Sequence, residues 1–244
     1  MKLGFIFSHG WAFNKSYWDN LLPYFKEYQC IVLDHGYYEL EHLPHIDEKT
    51  NWIGVGHSLG LIKLLQQGNK FKALVGLQAF NYFLTHNRKL NRIRSLELAM
   101  MKKNFASNPR NTIQSFNEII YNRRLNCIGS LEFAMMKKNL ASNPGNAIQS
   151  FNEIISNNID FYRMMNDLNL LSQNYESLFD KFSDIPALIL YTTDDKVVPA
   201  EIIEENFKNY PNAQMKKMPN SKHLLGFLNS EQVAVSIKEF LKCF

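Results

Sequence analysis

Trp52-Ile53-Gly54-Val55-Gly56-His57-Ser58-Leu59-Gly60 carries an apolar, strand-like run directly into a serine framed by two glycines. A serine with glycines two residues before and two after describes a nucleophile elbow, in which the chain turns sharply from strand to helix. The serine sits there at backbone angles that only small neighbours tolerate, and Gly56 and Gly60 supply that room. Helical periodicity from Leu59 to Gln67 follows at once, as an elbow requires.

Outward from the elbow, short runs rich in β-branched or aromatic residues mark Leu3 to Phe7, Cys30 to Leu33 and Asn51 to Val55, with a fourth at Ala73 to Leu77. Helical patterns at about Ser16 to Glu27 and Leu59 to Gln67 separate or follow them. The alternation resumes with a strand at Ala187 to Tyr191, a helix from about Ala200 to Asn209, a strand near Gln214 to Met218 and a last amphipathic helix from about Ser230 to Leu241. Strands alternating with helices predict a parallel sheet covered on both faces. Between the two halves lies a helical insertion.

That insertion contains a repeat. Residues 95–122 and 130–157 align at an offset of 35 with 23 of 28 positions identical, which marks a recent tandem duplication rather than a solenoid. Each copy reads as a helical hairpin, its first helix ending near Asn104 or Asn139. Asn108-Pro109 and Asn143-Pro144 then provide an N-cap and a first-turn proline for the second helix. Ile113, Phe116, Ile119 and Ile120, and their counterparts Ile148, Phe151, Ile154 and Ile155, form core-packing stripes at helical spacing.

A length of 244 residues, 45% of them hydrophobic and 20% charged, suits a single α/β domain with an insertion. No apolar run reaches the roughly 18 to 20 residues that span a bilayer, and the first residues read as a strand rather than a signal peptide. Cys30, Cys127 and Cys243 are odd in number and widely scattered, so free thiols and a cytoplasmic location are expected, with no zinc site and no other metal. The net charge of +4 is concentrated: residues 80–180 hold 12 Lys+Arg against 8 Asp+Glu, and the remainder has 15 of each. Arg88, Arg92, Arg94, Arg123 and Arg124 belong to this basic stretch, which is either a solvated helical face or a docking surface for an acidic partner.

A serine hydroxyl needs a base within hydrogen-bond reach and an acid that fixes the base's tautomer. The acid is expected after a late strand and the histidine after the last one. Thr192-Thr193-Asp194-Asp195-Lys196-Val197-Val198-Pro199 and Pro219-Asn220-Ser221-Lys222-His223 stand in those places. Ser58, Asp195 and His223 therefore form the expected catalytic set, with Asp194 as the alternative acid. His57 is expected to point away from the nucleophile's side, and His35, His42, His45 and His86 read as loop or surface residues. The backbone N–H groups of Leu59 and of Trp11, in Ser8-His9-Gly10-Trp11, are the expected oxyanion donors.

With Phe7-Ser8-His9-Gly10-Trp11-Ala12-Phe13-Asn14 followed by Tyr17-Trp18, then Gly56-His57-Ser58-Leu59-Gly60, Tyr191 to Pro199 and His223, the chain resembles the α/β-hydrolases over nearly its whole length. It looks most like the pimeloyl-ACP methyl ester esterases of the BioH type. The resemblance implies an α/β-hydrolase fold, with a mostly parallel central sheet flanked by helices and an inserted all-helical cap. Residues 1–80 and 184–244 would form the core and 81–183 the cap. It implies hydrolysis of the methyl ester of pimeloyl-ACP in biotin formation, with no cofactor. The partner would be the acidic acyl carrier protein, docked on basic residues of the cap, with no nucleic acid or membrane partner and a monomeric chain. Thr192 stands where the family usually has glycine, and the duplicated hairpin is a further departure. A general esterase or acyl thioesterase of the same fold, and a catalytically silent binding protein, are the competing readings.

Overall fold

In the computed structural model six parallel strands form one sheet in the order β2-β1-β3-β4-β5-β6. They are β1 (Leu3–Ser8), β2 (Gln29–Leu33), β3 (Asn51–His57), β4 (Ala73–Leu77), β5 (Ala187–Tyr191) and β6 (Ala213–Lys217). The structure describes residues 2–121, 158–219 and 222–243. The central strands β1, β3 and β4 are buried along nearly their whole length, which is why they read as continuous apolar runs rather than alternating ones. At one edge, β6 turns Gln214, Lys216 and Lys217 to solvent, a charged rim that discourages pairing with another sheet.

The register aligns the chemistry. Ser8 pairs with Gly56, and His57 with Leu77, so the C-terminal ends of β1, β3 and β4 lie abreast. In open parallel sheets the ligand crevice forms beyond those ends. The glycine loop after β1, the serine after β3 and the Asp-bearing loop after β5 all start from this one edge.

Helix α1 (Leu59–Gln66) follows β3 directly. Between β4 and β5 the described chain is helical, with α2 (Arg88–Ser107), α3 (Pro109–Tyr121), α4 (Phe161–Leu170) and α5 (Glu176–Asp180). Helix α6 (Ala200–Phe207) precedes β6, and α7 (Leu225–Leu228) and α8 (Ser230–Leu241) follow it. Among the described residues no helix is long and apolar enough to cross a membrane.

Two local expectations change. Instead of one helix from Ser16 to Glu27 there are two short 3-10 turns, Lys15–Trp18 and Leu22–Phe25. Pro23 lacks the N–H that a continuous helix would need, and Asn14 caps the first turn by accepting from Ser16 N at 3.0 Å. In the first repeat copy, α2 runs on past Asn104 to Ser107. Asn108 ends it by donating its N–H to Asn104 O at 2.7 Å, then caps α3 by accepting from Asn111 N at 3.1 Å. The expected Asn-Pro junction is therefore present. Ile113, Phe116 and Ile120 are buried as the stripe predicted, but Ile119 is exposed, because it lies at the margin of that stripe. The second copy lies outside the described residues.

Two polar ties fasten α4 to the sheet side. Asp167 accepts hydrogen bonds from the Tyr37 hydroxyl and from Lys63 Nζ on α1, and Met164 O accepts from Trp11 Nε1 at 2.9 Å. Burial, then the neighbouring Asp167 charge, pushes the Tyr37 hydroxyl well above its ordinary pKa, so it stays a donor.

Candidate active site

Ser58 occupies φ 53°, ψ −127°, a conformation that L-residues rarely hold, between the end of β3 and the first residue of α1. The glycines around it leave no space for anything larger. A Cβ on Gly56 would lie 2.3 Å from Leu61 Cα, and one on Gly60 would lie 2.3 Å from Ser8 O and 2.4 Å from His9 O. Such contacts require the backbone to move, so the glycine frame is a packing necessity. The turn is held by Ser58 N donating to Leu77 O at 2.9 Å. Leu59, as the first residue of α1, presents an N–H without an intrahelical acceptor beside the serine.

The loop after β1 closes on the same point. A Cβ on Gly10 would come within 3.0 Å of Ser58 Cβ and of His57 Nδ1, so the peptide leading into Trp11 passes close against the serine. Its shape is set from behind. His9 Nδ1 donates to Gly10 O at 3.0 Å, while Nε2 accepts from the His35 N–H at 3.1 Å, which gives the His9 proton to Nδ1. His35 is buried rather than at the surface, with Nε2 2.9 Å from Ser8 Oγ. Burial first, then the positive charge of Lys63, holds its pKa well below the ordinary value, so the ring is neutral. Asp34 completes the support. Burial opposes its charge, but the N–H groups of Gly36 and Lys15, donating at 2.9 and 3.2 Å, hold its pKa below the ordinary carboxylate range.

On the opposite side His223 and Asp195 are both buried, and His223 Nδ1 donates to Asp195 Oδ2 at 2.7 Å. A carboxylate only accepts, so the neutral ring carries its proton on Nδ1 and leaves Nε2 with a free lone pair. Asp195 Oδ1 accepts from Val197 N at 2.7 Å and Val198 N at 3.1 Å, and Oδ2 accepts from Gln78 Nε2 as well. Asp194 is exposed and faces away, its N–H donating to Thr192 Oγ1 at 3.3 Å. Of the two candidate acids only Asp195 meets the histidine.

No family model matches the chain, and no curated protein matches it either. Solved structures do match over almost the full length. A bromoperoxidase from Bacillus anthracis superposes with a TM-score of 0.76 at 16% identity, covering 99% of this chain and 92% of that one. An esterase from Exiguobacterium antarcticum gives 0.73 at 16% identity over 98% and 92%, and a hydrolase from Oleispira antarctica 0.71 at 16% over 99% and 92%. With the parallel sheet and its strand order, these likenesses identify the architecture. This is the α/β-hydrolase fold.

Within the hydrolase fold the expected site residues separate into three groups. Ser58, Asp195 and His223 all lie at the C-terminal edge of the sheet, and Trp11 and Leu59 flank the serine. Arg88 and Arg92 are exposed on α2, and Arg123 and Arg124 lie outside the described residues. Arg94 is not a surface residue. It is only 7% exposed, because helical phase puts it on the inward face of α2 with Leu98 and Phe105. Of the cysteines, Cys30 is half-buried and Cys243 exposed, both free, and Cys127 lies outside the described residues.

Two supporting residues were not expected. Gln78, directly after β4, sits at φ 49° and is fully buried, donating to Asp195 and accepting from Thr192 N at 2.9 Å. His57, expected to point away, donates from Nε2 to His223 O at 2.9 Å and stacks on Tyr17 with ring centroids 4.2 Å apart. Burial, then the His223 ring, drives its pKa well below the usual range, so it remains neutral. The elbow residue next to the serine thus holds the backbone of the histidine loop. The only sequence signal for either role is position, one residue after a strand and one before the serine.

Proposed function

We propose that this chain is a serine carboxylesterase, with Ser58 as nucleophile, His223 as general base and Asp195 as the group that fixes the histidine. The observation carrying this reading is the buried Asp195–His223 hydrogen bond at the sheet edge where Ser58 is held at a strained elbow. His223 Nε2, left unprotonated by that bond, takes the Ser58 proton as Oγ adds to the ester carbonyl. The N–H groups of Trp11 and Leu59 stabilise the oxyanion. Collapse of the intermediate expels the alcohol, which receives the proton from His223. Water activated by the same ring then attacks the acyl-serine, releasing the acid and restoring Ser58.

The substrate we favour is the methyl ester of pimeloyl-ACP, with methanol as the alcohol released. Support comes from the motif resemblance and from the exposed Arg88 and Arg92 beside Lys89 on α2, a basic face suited to an acidic carrier. A general short-chain esterase is the second reading, favoured by fold neighbours that are named as esterases. Ser58→Ala tests the chemistry: hydrolysis of p-nitrophenyl acetate and labelling by a fluorophosphonate should both disappear while the circular dichroism spectrum is unchanged. Retained turnover would remove Ser58 as nucleophile, and a wild-type protein that neither turns over nor labels would be a binding protein. Turnover of pimeloyl-ACP methyl ester separates the two esterase readings.

A further inference from the structure

Arg94 reaches from α2 into the loop that bears Asp195. Its Nη2 donates to Val197 O at 2.7 Å, its guanidinium lies 4.4 Å from the centre of the Phe83 ring, and Nη1 is 3.5 Å from Glu97 Oε2. Its Nε is buried without a hydrogen-bond partner among the described residues. The acceptor matters more than the burial. Val197 C=O and Val198 N–H belong to one amide, and that N–H donates to Asp195 Oδ1 at 3.1 Å. A continuous chain therefore runs from the Arg94 guanidinium through a single peptide group to the Asp195 carboxylate and on to His223 Nδ1.

A positive donor on a carbonyl oxygen polarises the amide and makes its N–H a stronger donor, so the charge is felt at the far end of the chain. Removing the cation leaves Asp195 Oδ1 less well satisfied and places more negative charge on Oδ2, the oxygen that faces His223. A lysine would keep the charge and one donor. A methionine would keep the stem packed against Phe83 and nothing else.

We infer that Arg94 is a positioning residue for the Asp195–His223 pair, acting through the Val197–Val198 peptide, so that α2 and the catalytic acid are coupled. The inference rests on the proposed roles of Ser58, Asp195 and His223. Among the described residues, the charged or titratable groups around the pair include His57, which donates to His223 O, Lys222 next to His223, Glu97 facing Arg94, and the exposed Asp194 and Lys196 beside Asp195 in the loop. Helix α3 brings Phe116, whose ring is 6.2 Å from that of His223.

Arg94→Met and Arg94→Lys are compared with wild type on p-nitrophenyl acetate across pH. In Arg94→Met, kcat at neutral pH should fall roughly tenfold, with KM nearly unchanged, since the arginine reaches the acid loop and not the serine. The acid limb of kcat/KM should move to higher pH by about half a unit, because loss of a nearby positive charge favours the protonated imidazole. Arg94→Lys should recover most of both effects. A readout that needs no turnover is the downfield proton resonance of His223 Nδ1–H, identified by its loss in His223→Gln, which should move further downfield in Arg94→Met. An unmoved resonance and an unmoved acid limb, with only a lower melting temperature, would reduce Arg94 to a packing residue and overturn the inference. A shifted resonance in a protein that hydrolyses no ester would keep the coupling and reject the esterase reading instead.

Discussion

Gln78→Met removes two hydrogen bonds from the centre of the site while keeping the length and stem of the side chain. In the native protein the Gln78 amide donates to Asp195 Oδ2 and accepts from Thr192 N at 2.9 Å, and Gln78 and Thr192 are essentially fully buried. The methionine strands the Thr192 N–H, which costs about 1–3 kcal/mol, and takes one charge-assisted bond from Asp195, about 1.5–3 kcal/mol. Part of this is offset because a thioether is cheaper to bury than an amide. The φ of 49° affects both side chains alike and drops out of the difference. The expected loss is about 2–4 kcal/mol of unfolding free energy, measured by urea denaturation, or about 4–16 °C in Tm for a domain of this size. With Asp195 under-bonded, kcat for a p-nitrophenyl ester should also fall at least about tenfold. A variant within about 0.5 kcal/mol of wild type and with kcat within about twofold would refute the claim that Gln78 holds the acid loop.

Gly60→Ala places a methyl 2.3 Å from Ser8 O and 2.4 Å from His9 O, both backbone atoms that cannot swing aside. Esterase turnover should be abolished and stability lowered by roughly 3 kcal/mol or more, read by activity and thermal melting; a native-like, active variant would show that the elbow packs otherwise. The Gly36 and Lys15 N–H groups hold the Asp34 carboxyl below its unfolded pKa of roughly 3.9, so its stabilisation is present above about pH 4 and is lost as pH falls through the lowered folded pKa. Asp34→Asn should therefore cost about 1–2 kcal/mol at pH 7 and flatten the stability curve below about pH 4, checked by denaturation across that range.

The pattern of the sheet and the elbow was legible in sequence because both follow from short-range constraints. Parallel strands buried on both faces must be continuous apolar runs, as at Ala73–Leu77 and Ala187–Tyr191. A serine at positive φ in a strand-to-helix turn needs small residues two positions to either side, as Gly56 and Gly60 stand around Ser58. The order serine, aspartate, histidine could be read because each of these residues follows its own strand or late loop. The 3-10 turns at Lys15–Trp18 and Leu22–Phe25 were harder, since their apolar spacing resembles a helix and only Pro23 argues against one.

Arg94 shows where local reading stops. By charge it belongs with Arg88 and Arg92, yet it shares a helical face with Leu98 and Phe105, and that phase turns it inward. Its acceptor, Val197 O, is 103 residues away along the chain. Gln78 and His57 are similar, bonded to Asp195 and His223 across 117 and 166 residues.

By itself, the sequence determined the strand and helix alternation, the elbow at Ser58, and the candidates His223 and the Asp194–Asp195 pair, because those depend on residue type and local spacing. The tertiary structure alone decided that Asp195 rather than Asp194 meets the histidine, and that Arg94 faces the acid loop and His57 the histidine loop. Those choices depend on which buried donors and acceptors the parallel register brings within about 3 Å of each other, and such long-range pairing leaves no mark in local composition.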